Sequence, residues 1–195
     1  MREAQIERRT GETRISIRLK LDGSGRWEID TGIGFFDHML SHIAAHGMID
    51  LEVRAQGDLH VDAHHTVEDV GIALGQALRQ ALGDRAGIAR YGQSLLPMDE
   101  SLALVTLDFS NRGLFVGDLP FASARVGAFD TELVGEFLRA LAHHAGLTIH
   151  ARLICGENTH HQIEALFKAL GRALRQAVAI DPARSDAVPS TKGVL

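Results

Sequence analysis

Cysteine is nearly missing from this chain: Cys155 stands alone, so no intramolecular disulfide can form and a four-cysteine zinc site is excluded. Long apolar runs are missing too. None approaches the roughly 18 residues of a membrane span, and the start, Met1-Arg2-Glu3-Ala4-Gln5, is polar. The expectation is a soluble, cytoplasmic protein with no membrane partner. Excess positive charge is lacking as well. A formal charge of −5 argues against a nucleic-acid partner, while leaving room for a local basic pocket that takes one small anion. Aromatic residues are few, with one Trp and one Tyr, yet there are 11 histidines. In a chain without a histidine tract, that excess points to metal binding or acid–base chemistry.

The histidines are organised by an internal repeat. His64–Leu82 reads HHTVEDVGIALGQALRQAL and His160–Val178 reads HHQIEALFKALGRALRQAV, identical at 11 of 19 positions at a shift of 96. Upstream, Leu51-Glu52-Val53-Arg54 stands opposite Leu147-Thr148-Ile149-His150. Each copy reads as an alternating strand, Asp50–Val61 or Thr148–Ile154, that runs into an amphipathic helix. Asp62 and Asn158 are the expected N-caps, with Glu68 and Asp69 placing negative charge near the helix's positive end. Gly83 and Asp181-Pro182 close the helices. Earlier helices fit Phe36–Ala45 and Thr131–Ala145, and further strands fit Arg14–Leu21, Arg26–Asp30, Leu102–Phe109 and Leu114–Phe115. The expected fold is α+β, a duplicated β-β-α-β-α unit with helices packed on mostly antiparallel sheets. It forms a single domain of two pseudo-symmetric halves, about residues 1–92 and 93–182, with an extended C-terminal arm over 183–195.

Two His-His-x-x-Glu motifs carry the chemistry, His64-His65-Thr66-Val67-Glu68 and His160-His161-Gln162-Ile163-Glu164. Residues four apart share a helix face, so His64 and Glu68 point one way, as do His160 and Glu164. Adjacent residues diverge by about 100°, so a His-His pair reaches two ions more easily than it holds one. Imidazole with carboxylate suits Mn, Fe, Co, Ni or Zn. A polar pair repeated at a helix mouth lacks the packing reason that explains repeated core residues. A third cluster, His38, His42 and His46, lies on one helical stripe; for His42 the expectation is a solvated polar face. Pseudo-symmetry puts His38 near the place of Glu136 in the second half, and either could complete a coordination sphere.

Four segments in order give the chain a specific resemblance to the imidazoleglycerol-phosphate dehydratase family. They are Thr31-Gly32-Ile33-Gly34-Phe35-Phe36-Asp37-His38-Met39-Leu40, Asp62-Ala63-His64-His65-Thr66-Val67-Glu68-Asp69, Glu157-Asn158-Thr159-His160-His161 through Glu164-Ala165, and Pro189-Ser190-Thr191-Lys192-Gly193. The resemblance implies a fold like the second domain of ribosomal protein S5, two Mn2+ ions per active site, and a homo-oligomer of 24 subunits built from trimers. The implied reaction is a hydro-lyase step of histidine biosynthesis. D-erythro-1-(imidazol-4-yl)glycerol 3-phosphate loses water to give 3-(imidazol-4-yl)-2-oxopropyl phosphate through a metal-bound imidazolate.

Carried onto matching positions, the resemblance implies metal ligation by His38, His64, His65, Glu68, His160, His161 and Glu164. Glu12 is the implied substrate-contacting acid, and the general base is left open among Glu12, Glu68 and Glu164. Arg90, Arg112, Ser190 and Lys192 would hold the phosphate, with His46, Lys168 and Thr191 as further substrate contacts. His38, His64, Glu68 and His160 also face substrate in this reading. Gly34 departs from a proline common in the family, Asn111-Arg112-Gly113 from Gly-Arg-Pro, and Glu136 from a metal-binding histidine. His143, His144 and His150 match no family role. Two other readings share these residues: a different dimetal phosphate-ester enzyme on the same fold, or a non-catalytic scaffold assembled by metal.

Overall fold

The computed structural model describes residues 2–184, 187–193 and 195; positions 185, 186 and 194 of the expected C-terminal arm lie outside the described residues. Two four-stranded sheets enclose four helices. In the first sheet, β1 (Glu3–Arg9), β2 (Thr13–Lys20), β3 (Trp27–Asp30) and β4 (Asp50–Gly57) run in the order β1-β2-β4-β3, antiparallel except where β3 meets β4. In the second, β5 (Tyr91–Met98), β6 (Ser101–Asp108), β7 (Leu114–Asp118) and β10 (Thr148–Cys155) run β5-β6-β10-β7, and again the last pair alone is parallel. A two-stranded ribbon, β8 (Arg125–Val126) and β9 (Phe129–Asp130), is inserted after β7.

The α+β class holds, each four-stranded sheet has one strand more than the sequence pattern suggests, and the second half further adds the β8–β9 ribbon. The added strands, β1 and β5, both lie at sheet edges. Solvent reaches an edge strand, so alternation is weak in Glu-Ala-Gln-Ile-Glu-Arg-Arg, and Pro97 is tolerated in β5. The strand starting at Asp50 stops at Gly57 rather than Val61, because residues 59–61 form a turn. The inner strands alternate cleanly. Ile15, Ile17 and Leu19 of β2 and Ala103, Val105 and Leu107 of β6 face inward, and their neighbours face out.

The helices are α1 (Gly34–Gly47), α2 (His64–Leu82), α3 (Leu133–Ala145) and α4 (Thr159–Ala177). α2 packs on β1 and β2, and α4 packs on β5 and β6. Across the middle α1 meets α4 and α2 meets α3, so one continuous core, with Phe36, Phe129, Phe137 and Phe167 at its centre, joins the two halves. Asn158 caps α4 as expected, accepting from the His160 and His161 amides at 2.9 and 3.4 Å. At α2 the cap position falls one residue later, on Ala63, although Asp62 still accepts from the His64 amide at 2.8 Å. Asp69 does not serve the helix end. It is buried, accepts from Arg8 Nε at 2.9 Å and from the Thr13 hydroxyl, and so ties α2 to β1 and β2.

Both helix crossings depend on a missing side chain. A Cβ on Gly171 would come within 3.0 Å of the His42 and Ile43 carbonyl oxygens, and one on Gly75 within 2.9 Å of the Leu141 carbonyl. These glycines are 96 residues apart, the repeat shift itself. Gly171→Ala should therefore cost about 1–3 kcal/mol of stability by overpacking against backbone. Thermal unfolding should show a clear fall in Tm relative to Gly11→Ala, where a Cβ meets nothing within 4 Å. Equal melting of the two variants would contradict the close crossing.

Candidate metal centre

The Asn158 cap sets the first turn of α4, and the helical repeat places Glu164 one turn beyond His160, with Nε2 and Oε2 3.1 Å apart. The close α1–α4 crossing brings His38 to the same place, its Nε2 3.5 Å from Glu164 Oε2. One donor atom each from His38, His160 and Glu164 lies within 4.8 Å of the others, the one such group among the described residues. The Glu164 side chain is only 9% exposed, whereas His38 is 45% exposed, so the cluster has a closed floor and an open mouth. Phe35 meets the edge of the His160 ring at 5.2 Å and restrains its rotation. Two imidazoles and a carboxylate are a donor set that suits a divalent transition metal.

Glu164 has further partners. Lys168 Nζ lies 2.6 Å and His42 Nε2 3.4 Å from its Oε1. Burial pushes the Glu164 carboxyl up, but the Lys168 hydrogen bond and the nearby cationic groups more than offset that and hold it down at about 2. His42 is thus not on a solvated face. Its side chain is 14% exposed, and its ring lies between those of His38, met edge-on, and His46, tilted to it, at centroid distances of 4.4 and 5.8 Å. Burial pushes its pKa down to about 4, against the pull of Glu164, so it is neutral at neutral pH. The i, i+4 stripe was visible in the sequence; that its middle member faces Glu164 was not.

Adjacent histidines diverge as helix geometry requires. The His64–His65 and His160–His161 rings stand at 89° and 81° with centroids 6.1 and 6.2 Å apart. His65 turns to Asp58, its Nδ1 3.0 Å from Oδ2, and to Glu12, 3.7 Å from Nε2. His161 turns to Glu100, its Nδ1 2.7 Å from Oε2. Those hydrogen bonds raise the pKa of both histidines, and the His161 contact holds the Glu100 carboxyl well below the usual range. His64 and Glu68 are half-buried at the head of α2, and neither joins the His38 cluster. Glu136 pairs with Arg139, one turn along α3. Asp58 and Glu100 carried no signal in the sequence, because each reaches its histidine from a separate turn.

The anion-binding candidates gather elsewhere around Asp108. Arg90, in the left-handed region at φ 71°, donates Nε to Asp108 at 2.7 Å and Nη1 to the Pro189 carbonyl at 2.8 Å. Arg112 lies 3.9 Å from the same carboxylate and is 72% exposed. Arg90 therefore pins the segment carrying Ser190, Thr191 and Lys192, whose turn is closed by the Lys192 amide donating to Ser190 Oγ at 3.1 Å. His46 is half-buried beside Lys168 and Arg172, and burial with their positive charge lowers its pKa.

Comparison with known proteins agrees with this arrangement. The family model described as imidazoleglycerol-phosphate dehydratase matches residues 31–174. Relatives of that name include those of Desulforamulus reducens, 61% identical over all of this chain and 98% of theirs, and Cereibacter sphaeroides, 57% identical over the whole of both. Among solved structures, the Staphylococcus aureus enzyme matches with TM-score 0.83 at 41% identity, covering 92% of this chain and 99% of its own. The Pyrococcus furiosus enzyme, solved in complex with (S)-C348, matches with TM-score 0.85 at 38% identity over 97% and 100%.

The neutral His42 makes the metal-free chain acid-sensitive. Unfolded, this imidazole takes up a proton as pH falls through 6.5; folded, it does so only near 4. The unfolded state binds more protons in between, so stability falls as pH drops from 6.5 toward 4. Melting in the presence of chelator should show this slope, and His42→Asn should flatten it between pH 6.5 and about 4.5, above the window of Glu164. An unchanged slope would mean that His42 is not held neutral.

Proposed function

This chain belongs to the imidazoleglycerol-phosphate dehydratase family, a hydro-lyase of histidine biosynthesis, and we propose that its paired His-His-x-x-Glu helices hold the metal ions that the dehydration uses. The observation that carries the proposal is the convergence of His38 from α1 with His160 and Glu164 from α4. The full ligand set is His38, His64, His65, Glu68, His160, His161 and Glu164, for two Mn2+ ions. Bound metal supplies Lewis acidity that makes the substrate's imidazole N–H easier to remove, and a template that fixes the ring.

The remaining roles belong to the chain's own groups. The hydrogen leaving carbon needs a base within reach, and Glu12 suits that task. Its carboxylate is 55% exposed, with a 3.7 Å approach to His65 Nε2 as its ion-pair contact. Glu164, held at about 2 by Lys168 and its histidines, is a poor base at neutral pH and better suited to ligation. Arg90, Arg112, Ser190 and Lys192 hold the substrate phosphate, with guanidinium forks matching its oxygens. Asp108 holds the Arg90 guanidinium at 2.7 Å, whereas Arg112, 3.9 Å from the same carboxylate and 72% exposed, is the freer of the two to meet an anion. His46, Lys168 and Thr191 are the further substrate contacts.

The equal strand orders of the sheets support one domain of two pseudo-symmetric halves, about residues 1–92 and 93–182, with an arm over 183–195. The assembly is a 24-mer built from trimers. Apolar side chains on the outer sheet faces, Trp27, Leu95, Leu114 and Ile154 among them, support burial between copies. No helix among the described residues is long and apolar enough to cross a membrane, and a cytoplasmic location follows from the biosynthetic role.

Incubation with D-erythro-1-(imidazol-4-yl)glycerol 3-phosphate and Mn2+ should give the 2-oxopropyl phosphate ketone. Inorganic phosphate without ketone would instead identify a phosphoesterase. Glu12→Gln should lower kcat by about 10²–10⁴-fold with Mn2+ binding intact; near-normal kcat would remove Glu12 as the base. Lys192→Ala should raise KM roughly tenfold through loss of one charge-assisted contact. An unchanged KM would take the C-terminal segment out of the phosphate site.

A further inference from the structure

Each His-His pair has one ring gripped by a carboxylate from outside its helix. His65 Nδ1 lies 3.0 and 3.2 Å from the Asp58 oxygens, and His161 Nδ1 lies 2.7 Å from Glu100 Oε2. An ionised carboxylate only accepts, so the ring proton belongs on Nδ1 in both cases. The opposite nitrogen, Nε2, is left at the outer end of the ring. There a second carboxylate approaches it, Glu12 at 3.7 Å from His65 and Asp99 at 3.8 Å from His161.

We propose that Asp58 and Glu100 are positioning residues that fix the rotation and tautomer of His65 and His161, presenting Nε2 of each to a metal ion. The inference rests on the metal reading given above and adds to it the groups that make the histidines competent. A hydrogen bond to the far ring nitrogen orients a ligating imidazole and raises its basicity.

The two carboxylates are not copies of one another. Asp58 follows β4, whereas Glu100 sits in the β5–β6 turn, whose topological counterpart is the β1–β2 turn carrying Glu12. The same grip was therefore reached from different places in the two halves, which inherited packing does not explain. Glu100 is also locked. Its Oε1 accepts from Ser101 Oγ at 3.0 Å, the Asn158 amide at 2.9 Å and the Glu157 amide at 3.2 Å, leaving Oε2 for the histidine. In the first half Asp58 takes over the grip, and the turn glutamate, Glu12, approaches the same ring only at Nε2, at 3.7 Å.

The locking makes a sharp test. In Glu100→Gln the amide oxygen keeps the three donors to Oε1, and the amide nitrogen, itself a donor, faces Nδ1. The ring must then carry its proton on Nε2, where a metal would bind. Calorimetric titration of the metal-free full chain with Mn2+ should show affinity about 10–100-fold weaker at one class of site, with Tm in chelator near that of the parent. The electron paramagnetic resonance spectrum of the remaining bound Mn2+ should change. Asp58→Ala should weaken Mn2+ in the same way through His65, and its carboxylate has no other hydrogen bond among the described residues, so this variant stays informative if Glu100→Gln melts early. Parental affinity and spectrum in both variants, while His161→Ala loses Mn2+, would overturn the positioning role and leave the metal reading standing. Parental affinity in His161→Ala as well would sink the metal reading and this inference with it.

Discussion

The centre depends on how closely α1 can approach α4. Gly171 lets the His42 and Ile43 carbonyls come nearly into contact with the α4 backbone. Only at that separation can short side chains from two helices, His38 on one and Glu164 on the other, share an ion. A larger residue at 171 would press on the α1 backbone and force one of the two helices to move. The same crossing buries Glu164, and burial by itself disfavours its charge. In a low-dielectric floor a carboxylate needs cationic or hydrogen-bonding partners, and Lys168, His38, His42 and His160 supply them.

The two halves share backbone and differ in chemistry. At the repeat shift, Lys168 of α4 stands where α2 has Ile72. Along the partner helices, His38, His42 and His46 of α1 correspond to Glu136, Ala140 and His144 of α3. The first set surrounds Glu164, whereas Glu136 turns to Arg139. Duplication preserved the crossing glycines, Gly75 and Gly171, because both crossings face the same steric constraint. It did not preserve the charges, which no packing constraint holds in common between the halves.

Several mistaken expectations share one cause. The edge strands β1 and β5 escaped detection because half of each strand's ladder meets water, so no apolar alternation is required of it. Asp69 suggested a charge at a helix end, yet it is a buried tie between α2, Arg8 and Thr13, a partnership between residues about 60 apart in sequence. His42 suggested a solvated face because its own helix shows only a polar stripe; its surroundings are set by α4.

What the sequence determined by itself is everything that local periodicity can encode. The repeat, the four helices, the inner strands and the divergence of each His-His pair follow from spacing along one chain segment, because a helix or strand fixes side-chain direction without help from elsewhere. Tertiary structure decided which of those directions meet. It alone put His38 beside Glu164, gave His65 and His161 their carboxylates from separate turns, and set Asp108 between Arg90 and Arg112. These are contacts between segments whose separation carries no period. Their energies come from burial and charge that exist only once the sheets have closed over the helices.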